Sequence, residues 1–213
     1  MIQSDITALL LIRHGETRWN IENRFQGHED SPLTPTGREQ CKALGRRLQG
    51  VPLSDLISSD LGRAMETAAG IAAFTGHLPQ TAHHLRERNY GILEGLQLED
   101  IKVRHPDILQ HLASNNPDYI IPGGESHRQH YRRCIEWVRK KAAEQPGATI
   151  ALVIHGGVLD CLFRYVTGLG LDQPRCFTTL NASLAVFKYG TFYGTRRWVI
   201  ETWGDVAHLK NIS

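Results

Sequence analysis

Leu9-Leu10-Leu11-Ile12-Arg13-His14-Gly15-Glu16-Thr17 decides the reading of this chain, together with Ile150-Ala151-Leu152-Val153-Ile154-His155-Gly156-Gly157. Each is an apolar run of strand length that ends in a histidine and a glycine and leads into a helical pattern. An apolar run without alternation is what a strand buried on both faces looks like. In open α/β sheets ligands bind at the carboxyl ends of the strands. If the two strands are neighbours, both imidazoles meet at one sheet edge beside Arg13. Such a site suits a phosphate, and it allows phosphoryl chemistry on histidine.

Working outward, the first strand covers 6–13. The Pro32, Pro35 and Gly37 punctuation precedes a helix over 36–49 with Cys41, Leu44 and Leu48 on one face. A short strand at 56–58 leads to a helix that runs to about Phe74. Ser59 or Asp60 is expected to cap it, and Ala64, Ala68, Ile71 and Ala72 form its inner face. A third strand is expected around 80–84, a loop over 85–95, and two short helices over 96–113 broken at Pro106. After a turn at 121–126 a long helix spans 127–144. The 149–154 strand then leads through His155 into a helix at 158–167. Residues 184–187 and 198–200 are β-rich and flank a loop with Gly190 and Gly194, which predicts an antiparallel hairpin. Alternating strands and helices predict a three-layer α/β/α sandwich with a mostly parallel sheet and an antiparallel C-terminal edge.

The composition is that of a globular protein. Its 213 residues are 41% hydrophobic and 22% charged, with a net charge of +2, enough for one domain with a sizeable core. So balanced a charge predicts neither nucleic-acid nor membrane partners. Cys41, Cys134, Cys161 and Cys176 form no Cys-x-x-Cys pair and read as reduced, mostly buried thiols. Met1–Asp5 carries no basic leader segment and no run reaches transmembrane length, so the expected location is the cytoplasm.

Taken singly, the polar candidates have ordinary explanations. Arg63 alone is an exposed helix arginine, and His155 alone is a hydrogen-bonded histidine at a strand end. Gly156-Gly157 strengthens His155, because backbone N–H groups at a helix start bind anions. Glu87 alone is a solvated loop carboxylate, and spacing does not select it over Glu94 or Glu16.

Jointly these residues resemble a known family. Arg13-His14-Gly15-Glu16-Thr17-Arg18-Trp19-Asn20 is similar to the signature of the histidine phosphatase superfamily, in its phosphoglycerate-mutase-like branch. In the same order follow Arg24-Phe25-Gln26-Gly27 with Pro32-Leu33-Thr34, then Ser58-Ser59-Asp60-Leu61-Gly62-Arg63-Ala64 with Thr67-Ala68. Leu85-Arg86-Glu87-Arg88 with Tyr90-Gly91, Gly124-Glu125-Ser126 and Val153-Ile154-His155-Gly156-Gly157 complete the set. The resemblance spans about residues 8–205. It implies one domain over 1–213 with a small helical lid insertion at about 92–125. It also implies a catalytic set in which His14 is the nucleophile that becomes phosphohistidine. Arg13, Arg63 and His155 clamp the phosphoryl group. Asn20 and Gly156 add hydrogen bonds, with Thr17 or Gln26 as further candidates. Glu87 protonates the leaving alkoxide and then acts as base on water. Neither metal nor cofactor is implied, because arginines and imidazoles supply the positive charge.

Phosphatase and mutase share such a site. Residues 92–125 hold Lys102 and Arg104 but lack the paired arginines of the family's mutases, the C-terminal tail is short, and Glu94-Gly95 looks like the phosphatase branch. The expected activity is therefore a phosphomonoesterase on small phosphorylated metabolites, working as a monomer or homodimer, with a cofactor-dependent phosphoglycerate mutase as the alternative. In the lid, Ile101, Val103, Ile108, Leu109 and Leu112 read as packing positions. Lys102, Arg104, His105 and His111 read as a solvated face or an anion attractor. Two rivals are weaker. A metallohydrolase would use His127 and His130 or His83-His84, which lack Asp or Cys partners at ligand spacing. A phosphate-binding module without chemistry would keep the pocket alone.

Overall fold

The computed structural model describes residues 5–210 and 212. Met1–Ser4 and the chain end at Ser213 lie outside the described residues. The strands are β1 (Thr7–Arg13), β2 (Asp55–Ser58), β3 (Gln80–Thr81), β4 (Thr149–Ile154), β5 (Leu184–Phe192) and β6 (Thr195–Asp205). The helices are α1 (Arg18–Ile21), α2 (Pro35–Leu48), α3 (Gly62–Thr75), α4 (Leu98–Arg104), α5 (Pro106–Ala113), α6 (His127–Glu144) and α7 (Gly156–Thr167). They build the expected three-layer α/β/α sandwich around one six-stranded sheet of order β3-β2-β4-β1-β5-β6. Its first four strands run parallel, and β5 and β6 form the antiparallel edge.

The layers follow from the two-residue period of a strand. Leu9 and Leu11 of β1 and Ile150, Leu152 and Ile154 of β4 face α6 and α7, packing on Cys134, Val138, Leu159 and Leu162. The intervening Leu10, Ile12, Ala151 and Val153 face α2 and α3, against Leu44, Ala64, Ala68 and Ile71. Local chemistry sets the helix ends. Thr34 Oγ1 accepts from Gly37 N–H at 2.9 Å with Pro35 in the first turn. Ser126 and Gln129 form a reciprocal capping box on α6.

Several expectations shift. The third strand is only Gln80–Thr81, and the chain at His83–Leu85 already winds into a 3-10 turn. Helix α7 begins at Gly156 rather than 158, and its Phe163 and Val166 are only partly buried. The hairpin is longer than predicted. Gly190 lies inside β5, and the turn is Tyr193-Gly194, both with positive φ (51° and 76°), which matches the twist of the flanking strands. Most consequential is the start of α3. Neither Ser59 nor Asp60 caps it, since the N-cap is Leu61 with no side-chain bond. Asp60 instead grips Arg86 through two bonds of 2.6–2.7 Å, and Ser59 turns to His155. The orphan donor Arg63 N–H goes to Asp30 Oδ1 at 3.3 Å.

Helices α4 and α5, in the segment expected to form a lid, have their own small core of Leu93, Ile101, Ile108 and Ile121, joined by Leu109 and Leu112. Val103 is 82% exposed and packs nothing. Phe187, fully buried between β1, α7 and Trp203, carries the largest apolar side chain of the sheet core. Its replacement by alanine is expected to cost about 3–5 kcal/mol, read as a lower urea midpoint with an unchanged slope.

Candidate active site

Arg13 pairs with Ile154 in the β1–β4 register, so the next residue of each strand is a histidine. His14 N–H donates to Ile154 O at 3.0 Å, and the two rings stand 5.2 Å apart, tilted by 57°. Both side chains are buried. His14 Nδ1 lies 2.8 Å from its neighbour's carbonyl, Gly15 O. A carbonyl only accepts, so Nδ1 carries the proton and Nε2 keeps its lone pair. Burial first, then the charges of Arg63 and Arg13, hold the His14 pKa well below the usual value of 6.5.

His155 Nε2 is 2.8 Å from Ser59 Oγ. That hydroxyl also accepts from Leu61 N–H at 3.4 Å, and among the described residues Nε2 is the acceptor within reach of its proton; with Nε2 accepting, Nδ1 becomes the N–H donor. Burial, Arg63 and His14, in that order, keep this imidazole neutral well below 6.5.

Two arginines flank the rings. Arg13 is anchored through Nη1 to Thr179 O, and burial lowers its pKa to about 10, against the opposing pull of Glu87. It remains a cation at neutral pH. Arg63, 2% exposed, is held from behind by Glu29 O and Asp30 Oδ1 at 2.9 Å and by Gly27 O at 2.8 Å. Arg13 Nε, Arg63 Nε, His155 Nδ1 and Gln26 Oε1 are all buried without a hydrogen-bond partner. Unpaired buried groups cost free energy, and these converge on one place. Three are donors, and a turn of the Gln26 amide presents a fourth. The arrangement is made for an oxyanion.

Arg13, Arg63 and Gln26 line a cleft of about 620 Å³ with His14, whose ring packs on His155, and it also receives Trp19, Asn20, Phe25, Tyr90, Glu87 and Arg175. Asn20 Oδ1 is used up by Thr17 N–H, Thr17 Oγ1 and Asn181 Nδ2 at 3.0–3.1 Å, which leaves its NH₂ for the cleft. Thr17 is not brought to the cleft. Its hydroxyl caps α1 and steadies Asn20. Gly156 opens α7 beside Arg13, so its N–H sits at a helix start. Glu87 Oε2 accepts from Gly157 N–H at 2.9 Å and Oε1 from Arg88 N–H at 2.8 Å. A methyl group on residue 157 would stand 2.0 Å from Glu87 Oε1, so only glycine lets the carboxylate approach.

The other carboxylates separate here. Glu94 Oε1 and Oε2 accept from the backbone N–H groups of Tyr90, His28 and Glu29 at 2.8–2.9 Å, organising two loops. Glu16 bonds Thr34 Oγ1 at 2.7 Å. Asn181, Ser59, Asp30 and Arg175 escaped sequence reasoning, because each acts through a contact distant in the chain that no local pattern marks. Lys102, Arg104, His105 and His111 stay outside the cleft. His127 and His130 do acquire neighbours, Asp160 at 3.4 Å and Cys161 at 3.6 Å. Among the described residues, no three such side chains gather as metal ligands do.

The profile of the histidine phosphatase superfamily (branch 1) matches residues 9–206, and this chain belongs to that superfamily. It is similar to phosphoglycerate mutase-like protein 4 of Arabidopsis thaliana, 36% identical over 209 residues, covering 97% of this chain and 88% of that one. Among solved structures it is similar to Bacillus stearothermophilus YhfR, at 32% identity and a TM-score of 0.85, covering 96% and 100% of the two chains. It is also similar to the mycobacterial glucosyl-3-phosphoglycerate phosphatase solved with VO3, at 28% identity and 0.81, covering 92% and 98%.

The neutral histidines make stability depend on pH. His14, His130 and His155 all have folded-state pKa values well below 6.5, burial being the main cause. Unfolded, each takes up a proton as pH falls through 6.5, so the unfolded state then binds more protons. Stability is therefore full above that pH and declines below it, by at most about 1.4 kcal/mol per pH unit per histidine. The urea midpoint should be lower at about pH 5.5 than at about pH 7.5, and an equal or higher value would contradict neutral rings.

Proposed function

We propose that this protein is a metal-independent phosphomonoesterase that acts on small phosphorylated metabolites through a phosphohistidine. What supports this reading above all is the tautomer of His14, whose Nε2 lone pair is available in a cleft of unpaired N–H donors. Nε2 attacks phosphorus as the ester P–O bond breaks, and the alkoxide takes the proton of the Glu87 carboxyl. Water then attacks the phosphohistidine, giving a proton back to Glu87 and releasing phosphate and His14. Arg13, Arg63, His155, Asn20, Gln26 and Gly156 N–H hold the equatorial oxygens, whose charge grows in the transition state. Three buried free thiols suit a reducing compartment, the cytoplasm. Among the described residues no helix is long and apolar enough to cross a membrane.

The second reading is a primed phosphoglycerate mutase, favoured by the name of the Arabidopsis relative. A mutase must keep water from the phosphoenzyme. The roomy cleft and a Lys102 that pairs with Glu99 outside it favour hydrolysis. The 28% identical mycobacterial structure is that of a phosphatase, which points the same way.

His14→Ala should abolish p-nitrophenyl phosphate turnover, and rapid quenching of the native enzyme should leave phosphate on the His14 peptide. Activity surviving in that variant would end the mechanism. Glu87→Gln, and Gly157→Ala by displacing Glu87, should lower kcat by about a hundredfold or more on alkyl phosphates and less on p-nitrophenyl phosphate. Incubation with 3-phosphoglycerate and a bisphosphoglycerate primer should release phosphate; isomerisation without release would favour the mutase.

A further inference from the structure

A second cavity of about 190 Å³ adjoins the phosphate cleft, and Tyr90 and Arg175 line both. The lid contributes Asn115, α6 contributes His130, and α7 contributes Gly157, Asp160 and Arg164. Resting on the phosphatase reading, we propose that this cavity is a subsite for a second anionic group, carried by the alcohol part of the substrate, with Arg175 as the recognising cation.

Direction comes first. In-line displacement from His14 puts the leaving oxygen on the far side of phosphorus, next to Glu87. Glu87 Oε2 is tied to Gly157 N–H, and Gly157 lies on the wall of the second cavity. The alcohol part therefore passes Glu87 into that space. The space admits a leaving group of a few heavy atoms.

Charge comes second. Asp160 is the cavity's single carboxylate, set against the guanidinium groups of Arg88, Arg164 and Arg175. It is fully engaged, with Arg164 Nε at 3.1 Å, Arg175 Nε at 3.3 Å and His127 Nε2 at 3.4 Å. Arg164 spends Nη1 on the carbonyls of Gly170 and Gln173. Arg88 is turned to the carbonyls of Glu125 and Tyr119. Arg175 is tied to Asp160 through Nε, lies over the Phe177 ring at 5.8 Å and is 41% exposed, with its outer nitrogens in no hydrogen bond among the described residues and so available to a ligand.

The third observation is a buried ring nitrogen without a partner. His130 is 1% exposed, and its Nε2 has no hydrogen-bond partner. Cys161 Sγ lies 3.6 Å from Nδ1, and Glu87 Oε1, at 3.9 Å, is beyond hydrogen-bond reach of Nε2. A polar group of the substrate would give Nε2 the partner it lacks.

The test compares kcat/KM for three phosphomonoesters of matched size, whose far end bears a carboxylate, a phosphate or a hydroxyl. p-Nitrophenyl phosphate reports the chemistry by itself. The native enzyme should prefer the better anionic ester to the hydroxyl ester by about tenfold to a hundredfold, the worth of one charge-assisted hydrogen bond. The larger of the two anionic values identifies the group. Arg175→Gln should bring the ratio to within about threefold of unity. Asn115→Asp, at an exposed position with φ of 52° that aspartate tolerates, should lower it as well by adding a like charge at the mouth. A native ratio near one, or a ratio unmoved by both variants, overturns the subsite while p-nitrophenyl phosphate turnover leaves the phosphatase standing. Failure of the native enzyme on every ester overturns both.

Discussion

The parallel pairing of β1 with β4 is the constraint from which the rest follows. Arg13 opposite Ile154 leaves each chain to emerge from the sheet at the same height, one residue before its histidine. The pairing is held by burial on both faces. A slip of one residue would drive Leu9 and Leu11 out of one core and into the other. The same apolar contacts that stabilise the sheet therefore fix the spacing of the two imidazoles. No loop has to be well ordered for the rings to meet.

Keeping those rings uncharged is the second achievement of the fold. Beside two guanidinium groups in a dry site, a protonated imidazole would be doubly penalised, by lost hydration and by repulsion. The cations themselves are tolerated because each has acceptors behind it: Thr179 O for Arg13, and three oxygens of the 27–30 loop for Arg63. The backs of the arginines are satisfied and their Nε groups are not. The pocket is thus preorganised to receive an oxyanion without moving a charged group.

Much of this was legible in the chain. Continuous apolar runs ending in His-Gly marked the central strands, and helical spacing located α6 to the residue. The Pro106 break separated α4 from α5. What local pattern missed were residues whose partners are remote. Ser59 looks like a helix cap in sequence, but the His155 ring and Arg86 compete for the Ser59-Asp60 pair, and Asp30 takes over at Arg63 N–H. Thr17 carries the polarity of a ligand and spends it on Asn20. Asn181, preceding the positive-φ residue Ala182, holds His14 O and Asn20 Oδ1 together from the far end of the chain. Spacing alone left Glu16, Glu87 and Glu94 equivalent. Their hydrogen bonds separate them, since only Glu87 faces the cleft.

Glu94 has a wider consequence. One oxygen pair ties Tyr90, at the root of the lid, to His28 and Glu29. The carbonyl of Glu29 is in turn one of the supports of Arg63. A single carboxylate thus couples the 90–95 segment to the support of Arg63, which under the proposed function joins the side of the departing alcohol to the grip on phosphate. Remodelling the lid for a new substrate would carry over into how tightly every phosphate ester is seated. Drift in specificity within this architecture should therefore be accompanied by compensating changes in the 27–30 loop, and a lid transplanted alone should arrive with a slackened anion pocket.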